Sequence, residues 1–249
     1  MGLVQKALRM GQRIYHWNFR RIEECSTLIQ WLEPRPGERV LDVGCGDGFF
    51  DAEIAGAGAN VVGIDIHSSR LAFAQRVNKS ERTEFQYMDA EQMGFTENSF
   101  DKAISFCVVE HFHQDEKVIE HVSRVLKPGG HFVLSADSLS NPEVTQAERD
   151  AHQKRYAVNT FYTEAILRDK LNRAGFELVN AHYILTTPFT LSLARLSWKL
   201  DDLPKALAFV SALGYLALGT VGKVASDISE RASRRRDSGL TLLAKARKR

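Results

Sequence analysis

The chain has 249 residues, enough for one α/β domain with a decoration, and its formal net charge of +2 does not by itself mark a nucleic-acid binder. Its three cysteines, Cys25, Cys45 and Cys107, are odd in number and lie in or beside apolar segments, which favours buried free thiols in a reducing cytosol over a disulfide framework. Met1 to Arg21 is basic without a continuous apolar core, which argues against a secretory signal. Lys6 stands where a myristoylation signal beginning at Gly2 needs Ser or Thr, and the lack of any acid before Glu23 leaves a transit peptide as an alternative.

Val4, Leu8, Ile14 and Trp17, then Leu28, Ile29 and Leu32, suggest one or two amphipathic helices ahead of a sheet, ended by Pro34 and Pro36-Gly37. Val40 to Val43 reads as a buried strand. It runs into Gly44, Gly46 and Gly48, glycines at every second position, and then into a helix from Phe49 to Ala57. Glycine is needed where the chain turns sharply and where backbone meets a ligand without a Cβ between them. Free N–H groups at the start of the next helix face an anionic or polar ligand. This is the first strand–loop–helix of a Rossmann-like sheet. A dinucleotide fingerprint, G-x-G-x-x-G, would place its third glycine at Phe49, one residue later than Gly48, and here an acid, Asp42, lies inside the strand.

The run Leu41-Asp42-Val43-Gly44-Cys45-Gly46-Asp47-Gly48 resembles motif I of the class I S-adenosylmethionine (SAM) methyltransferases. The resemblance implies SAM as cofactor, held by Asp42, Gly44, Cys45, Gly46 and Gly48, with an NAD-type site as the alternative. It also implies that residues 1–34, with Tyr15 and Trp17, form a helical lid over the cofactor; an aromatic face packed on the core is the plainer alternative.

Val61 to Asp65 is the second strand. Asp65 lies about twenty residues beyond Gly44, the separation at which an acid meets a nucleoside ribose. A carboxylate suits that task because it accepts two hydrogen bonds at once; Ile66 would then lie against the adenine. Ser68 is expected to cap the next helix, with Leu71, Ala74 and Val77 inward. Phe85 to Asp89 is the third strand, and Asp89-Ala90 resembles the position that reads adenine in this family.

Ser99 to Cys107 is the fourth strand, central in the sheet, so Phe106 at its end should face the methionine part of the cofactor and the incoming acceptor. Glu110, His111 and His113 follow as the nearest titratable groups. Histidine suits proton removal near neutral pH, and a structural or substrate-contact role is the alternative for His111. Relatives that bind a metal here use Glu-x-x-Glu-His. Cys107 occupies the first Glu position, and two remaining ligands do not make a site for a hard cation, so metal independence is expected. Lys127-Pro128-Gly129-Gly130 reads as a turn into a fifth strand, His131 to Ser135, and this block again resembles the family.

Ala136 to Asn159 is polar, lacks clear periodicity and lies where substrate loops usually lie. Tyr156, Asn159 and Tyr162 are candidates for lining the acceptor pocket, with ordinary loop and cap roles as the alternative. Thr163 caps a helix that ends at Ala174-Gly175. Phe176 to Ile184 is the sixth strand, and the best final strand is Gly239 to Lys245.

The expected fold is therefore α/β: a Rossmann-like three-layer sandwich with a seven-stranded, mostly parallel sheet whose last strand is antiparallel. Its core spans 35–184 and 239–249, with a helical insertion at 185–238 before the last strand. Ala206 to Gly222 carries no charge and reaches the lower length of a membrane span. One crossing would place the final strand on the wrong side of the membrane from its sheet. The insertion is thus a cap, a dimer contact or a membrane-surface element. The basic run Arg231, Arg234, Arg235 and Arg236 reads as solvated surface, or, beside a greasy helix, as a contact for anionic lipid.

Together these residues point to SAM-dependent methyl transfer by in-line displacement to a small hydrophobic acceptor: a lipid, isoprenoid, polyketide or quinone-like molecule. The location expected is cytoplasmic or peripheral at a membrane, with a homodimer open and no DNA partner. The alternatives are a SAM-binding regulatory or scaffold protein without catalysis, and an RNA methyltransferase using the basic tail. None of the tyrosines has a lysine four residues on, which excludes the short-chain dehydrogenase pattern. No Asn/Asp-Pro-Pro-aromatic tetrapeptide follows the fourth strand, which excludes the amino-methylating DNA enzymes.

Overall fold

The computed structural model describes residues 3–16, 19–201, 208–232 and 237–249. Trp17, Ala206 at the start of the uncharged run, and Arg234 to Arg236, singled out above, lie outside the described residues.

The strands are β1 (Arg39–Val43), β2 (Asn60–Asp65), β3 (Thr83–Tyr87), β4 (Phe100–Phe106), β5 (Leu126–Asp137), β6 (Phe176–Ile184) and β7 (Thr241–Lys248). They form one seven-stranded sheet in the order β3-β2-β1-β4-β5-β7-β6. The pairs from β3 through β5 are parallel, and β7 inserts antiparallel between β5 and β6. A largely parallel sheet is covered on both faces, which is why its strands read as continuous apolar runs. Val40, Ile104, Val133 and Leu243 point to one face, under α2 (Phe19–Leu32), α3 (Phe49–Gly56) and α8 (Pro188–Asp201). Leu41, Ala103, Leu134 and Leu242 point to the other, under α5 (Asp115–Val125) and α7 (Glu164–Arg173). The direction of strand order reverses between β1 and β4, the place where such sheets open a crevice beyond their carboxyl ends.

The remaining helices are α1 (Leu3–His16), α4 (Ser68–Val77), α6 (Gln146–Tyr156), α9 (Ala208–Ala217) and α10 (Lys223–Ala232); a π-helical turn, Leu218–Gly222, joins the last two. Leu191 and Ala194 of α8 are fully buried in the core beneath the sheet. Burying one leucine contributes about 1.5–3 kcal/mol, so α8 is part of the fold's foundation. No described helix is long and apolar enough to cross a membrane.

Four local expectations change. The 136–159 segment contains a helix, α6, started by Thr145: its hydroxyl accepts from Glu148 N at 3.2 Å while the Glu148 carboxylate accepts from Thr145 N at 2.9 Å. The apolar periodicity that announces a helix is missing because α6 buries one residue, His152. His67, not Ser68, occupies the cap position of α4, where the Asp65 carboxylate accepts its N–H at 2.7 Å. Pro128 to Gly130 form a bulge inside β5, with the register against β4 shifting between Phe100 and Lys102. The last strand begins at Thr241 and runs to Lys248, beyond the expected Lys245.

Candidate active site

The β1–α3 loop, Gly44 to Gly48, bends at the crevice. Gly44, Gly46 and Gly48 all take positive φ, which L side chains rarely adopt. Gly44 is also packed too closely for any side chain: a Cβ there would sit 2.6 Å from Val108. Gly46 faces open space, with only Arg70 Nη1 near, 3.9 Å from where its Cβ would be.

This loop floors a cavity of about 410 Å³. Asp42, Gly44, Cys45 and Gly46 line it from below, Phe106 and Cys107 from the end of β4, Arg70 and Phe73 from α4, and Tyr15 and His16 from α1. Gly48 turns the chain into α3 at its N-cap. His16 is stacked on Phe49 with ring centroids 4.4 Å apart and holds Asp47 Oδ2 at 3.0 Å, so α1 is tied to the loop. Asp65 stands at the end of β2. Its Oδ2 accepts from Gly46 N at 2.9 Å, and its Oδ1 lies 2.9 Å from His67 Nδ1. Ile66 is exposed. Asp89 lies outside the cavity wall and accepts from Glu91 N at 2.9 Å, capping the turn that starts at the buried Ala90.

Asp42 and Asp51 are buried below the loop within hydrogen-bond reach of each other, and no other donor among the described residues bonds their carboxyl oxygens. Burial pushes Asp51 up to about 7. Burial and the neighbouring Asp51 raise Asp42 well above the ordinary carboxylate range. Gly63 makes room for this arrangement, since a Cβ there would lie 2.6 Å from Asp51 Oδ1 and 2.8 Å from Cys45 Sγ. An orphaned acid in the cavity floor fits a ligand that brings its own donors or positive charge.

A second, smaller chamber of about 100 Å³ adjoins the first and shares Arg21 and Cys107 with it. Glu110, Asp137 and His152 meet there. His152 Nε2 is 2.6 Å from Asp137 Oδ2, and Asp137 N donates to Glu110 Oε1 at 3.0 Å. Glu110 Oε2 is buried without a partner among the described residues. Burial, reinforced by the charge of Asp137, raises Glu110 well above the usual carboxylate range. Burial acts to raise Asp137 as well, but the hydrogen bond and charge of His152 outweigh it and lower Asp137. Cys107, held at the positive φ of 50°, donates to Glu24 Oε1 at 3.1 Å. Burial and Glu24 raise its thiol. Arg21 Nη1 bonds Glu24 Oε2 at 3.0 Å.

His111 and Tyr156 line this chamber. His111 Nδ1 lies 3.3 Å from Ala157 O, and Asn159 holds the turn by donating from Nδ2 to His111 O at 2.6 Å. The structure places the other candidates elsewhere. His113 lines neither of the two cavities, and its N–H donates to Glu91 Oε1 at 3.0 Å. Tyr162 is fully buried in the core under α7, its hydroxyl bonded to Asp115. His152, Asp137, Glu24 and Arg21 were not anticipated. The Thr145-x-x-Glu148 pattern is the signal that marks α6, and with it His152.

Cys107, Glu110 and Asp137 bring donor atoms within 4.8 Å of one another. The expectation of metal independence counted Glu110 and His111; the cluster that the fold assembles instead joins Glu110 to Cys107 and to Asp137, which only the fold brings near.

Residues 41–134 match the family model described as Methyltransferase domain. A ubiquinone biosynthesis O-methyltransferase of Ralstonia nicotianae is 31% identical over 143 residues, 54% of this chain and 60% of that protein. The chain spans between 28% and 60% of the length of the first curated relatives it matches. Among solved structures, the [4+2]-cyclase SpnF superposes with a TM-score of 0.66 at 20% identity, covering 92% of this chain and 80% of that one. The phosphoethanolamine N-methyltransferase 2 of Haemonchus contortus, in complex with S-adenosyl-L-methionine, also gives 0.66 at 20% identity, covering 91% of this chain and 52% of that one. At such identities these likenesses show the fold.

Proposed function

Starting from residues 41–134 as a methyltransferase domain of the class I, SAM-dependent kind, we propose that the chain moves a methyl group from SAM to a small lipophilic acceptor. The observation that carries this reading is the junction of two cavities at Cys107: one floored by the glycine loop, the other holding Glu110, Asp137 and His152.

SAM supplies a methyl group on a positively charged sulfur. The chain's part is to hold the nucleoside, position the acceptor and exclude water. Asp65 accepts from the ribose, Asp89 and Ala90 read the adenine, and the loop from Gly44 to Gly48 lies along the amino-acid part. Asp42 faces the ligand's cationic end. Tyr15 and His16 close the cavity from above.

In the second chamber, Glu110, whose burial favours the protonated form and whose Oε2 has no partner among the described residues, donates to an acceptor oxygen. His152, oriented by Asp137, takes the proton that the acceptor loses, and His111, which lines the same chamber, contacts the acceptor. The donors of Cys107 and Asp137 are already engaged with Glu24 and His152, which supports a reaction without a metal. The chamber admits only the reacting end of an acceptor. Its aromatic surroundings, with Tyr156 and Trp198 ring centroids 4.5 and 5.6 Å from His152, support an apolar or quinone-like one, as does the ubiquinone named in the relative above.

The test is S-adenosylhomocysteine release from SAM across a panel of phenolic quinone precursors, isoprenoid alcohols and phospholipids. Turnover on a lipophilic member is expected. Tight SAM binding with no turnover on any member would replace this reading with a non-catalytic SAM-binding protein.

A further inference from the structure

Helix α1 is amphipathic the wrong way round. Its polar face is turned to the protein. Gln5 Nε2 donates to Arg76 O at 3.2 Å, Arg9 Nε to Val77 O at 3.1 Å and Gln12 Nε2 to Asp47 O at 3.0 Å, and His16 holds Asp47. These residues recur at the spacing of one helix face. The opposite face is apolar and exposed: Val4, Ala7, Met10 and Ile14. Val4 and Met10 keep 62% and 59% of their surface. A helix that only covered a core would bury these residues and expose the others.

The next helix out repeats the pattern. α9 lies beside α1, and from α9 through α10 the exposed large apolar residues are Leu213, Leu216, Val221, Val224 and Ile228. Between 213 and 228, no exposed residue with a described side chain is charged. The acids of α10 are turned away: Asp227 pairs with Lys223, and Glu230 Oε1 accepts from Thr186 N at 2.8 Å. α1 and the run from α9 through α10 thus each leave an apolar stripe in water, more than scattered surface leucines explain.

The charge beside the patch selects its occupant. Residues 3–16 contain no acid. Lys6, Arg9 and Arg13 lie along one flank of the α1 stripe and line a cavity of about 730 Å³ between α1 and α3, where Glu53 is the one carboxylate among the described lining residues. An apolar stripe edged by cations is the pattern of a helix lying in a membrane interface, with its stripe at the acyl boundary and its cations among the head groups.

We propose that α1 and the α9–α10 ridge dock on an anionic phospholipid bilayer. Tyr15 and His16, at the end of α1, wall the cofactor cavity, so docking brings that cavity close to the membrane. Binding itself does not depend on methyl transfer; its use, delivery of a lipophilic acceptor, rests on the function proposed above.

The test is flotation of the full-length protein with phosphatidylcholine vesicles and with vesicles containing about one-third phosphatidylglycerol. The wild type floats with the anionic vesicles, and added salt releases it. Met10→Asp/Ile14→Asp weakens vesicle binding by about tenfold or more, and Lys6→Glu/Arg13→Glu abolishes the preference for anionic lipid. Each variant keeps the wild-type melting temperature and calorimetric SAM response. Should the α1 variant not fold, Val221→Asp/Val224→Asp, on the second stripe, gives the same reading. The proposal is overturned if the wild type floats with neither vesicle or if the variants bind as well as it does. It is equally overturned if light scattering finds a lipid-free dimer that the Asp variants dissociate, which would make the face a contact between copies. Loss of the SAM response with vesicle binding intact would count against the methyltransferase reading alone.

Discussion

His152 Nε2 lies 2.6 Å from Asp137 Oδ2, joining the one buried residue of α6 to the last residue of β5. The contact orients an imidazole that no local pattern near β4 supplies. Positioned proton transfer contributes typically 10²–10⁴-fold to rate. His152→Gln is therefore expected to lower turnover by about 10²–10³ while leaving SAM affinity within about threefold. Asp137→Asn should do the same to a smaller degree, and His111→Ala should cost about tenfold or less. Steady-state release of S-adenosylhomocysteine, beside calorimetric SAM titration, checks each; equal losses at His111 and His152 would shift the proton acceptor to His111.

The acids below the glycine loop predict a pH dependence. Asp51 is raised to about 7 by burial, and Asp42 is raised by burial and by Asp51. The native state thus binds protons that the unfolded chain releases near pH 4. The stabilisation is complete below that pH and is lost as pH rises through 7. Thermal melts of the ligand-free protein should show a lower melting temperature at pH 8 than at pH 5.5. Asp51→Asn, which mimics the protonated acid, should flatten this slope and raise the pH 8 melting temperature by on the order of 4 °C. SAM, being cationic, should bind more tightly at pH 8 than at pH 6; an unchanged affinity would remove Asp42 and Asp51 from the ligand's neighbourhood.

Asp65 combines two tasks. It fixes the loop through Gly46 N at 2.9 Å, and the ribose contact proposed for it would use the lone pair left on Oδ2. Hydrogen bonds to a charged group contribute about 1.5–3 kcal/mol each, so Asp65→Ala should weaken SAM binding by about 10²–10³. Asp65→Asn, which keeps one acceptor oxygen, should fall between. Fluorescence or calorimetric titration measures both.

Cys107, Glu110 and Asp137 are close enough to share a cation, yet hydrogen bonds to Glu24 and His152 already occupy two of them. Dialysis against EDTA is expected to leave turnover unchanged, and elemental analysis of the purified protein to find no stoichiometric metal. A chelator-sensitive enzyme restored by one divalent ion would reverse this.

Much of the fold is legible in local patterns. The strand, glycine loop and helix from Val40 onward are written in consecutive residues, and the apolar runs from Val61 and Phe100 announce parallel strands buried on both faces. The place of Asp65 at the end of β2 follows from the apolar run before it. What does not show is set by contacts between distant segments. Asp137 and Glu110 meet because β5 lies beside β4, which spacing does not reveal. His152 is hidden because a helix with a single buried residue has no apolar stripe. α1 carries the sharpest lesson. Periodicity in Val4, Leu8 and Ile14 announces a two-faced helix, but it does not say which face meets the protein, and in this chain the polar one does.

Isothermal titration of the purified protein tests the central claim most directly. SAM and S-adenosylhomocysteine should each bind at one site per chain, and Asp65→Ala should suppress both. A nicotinamide dinucleotide should give no heat. Silence toward both adenosyl ligands, with a clear response to the dinucleotide, would contradict the account at its root.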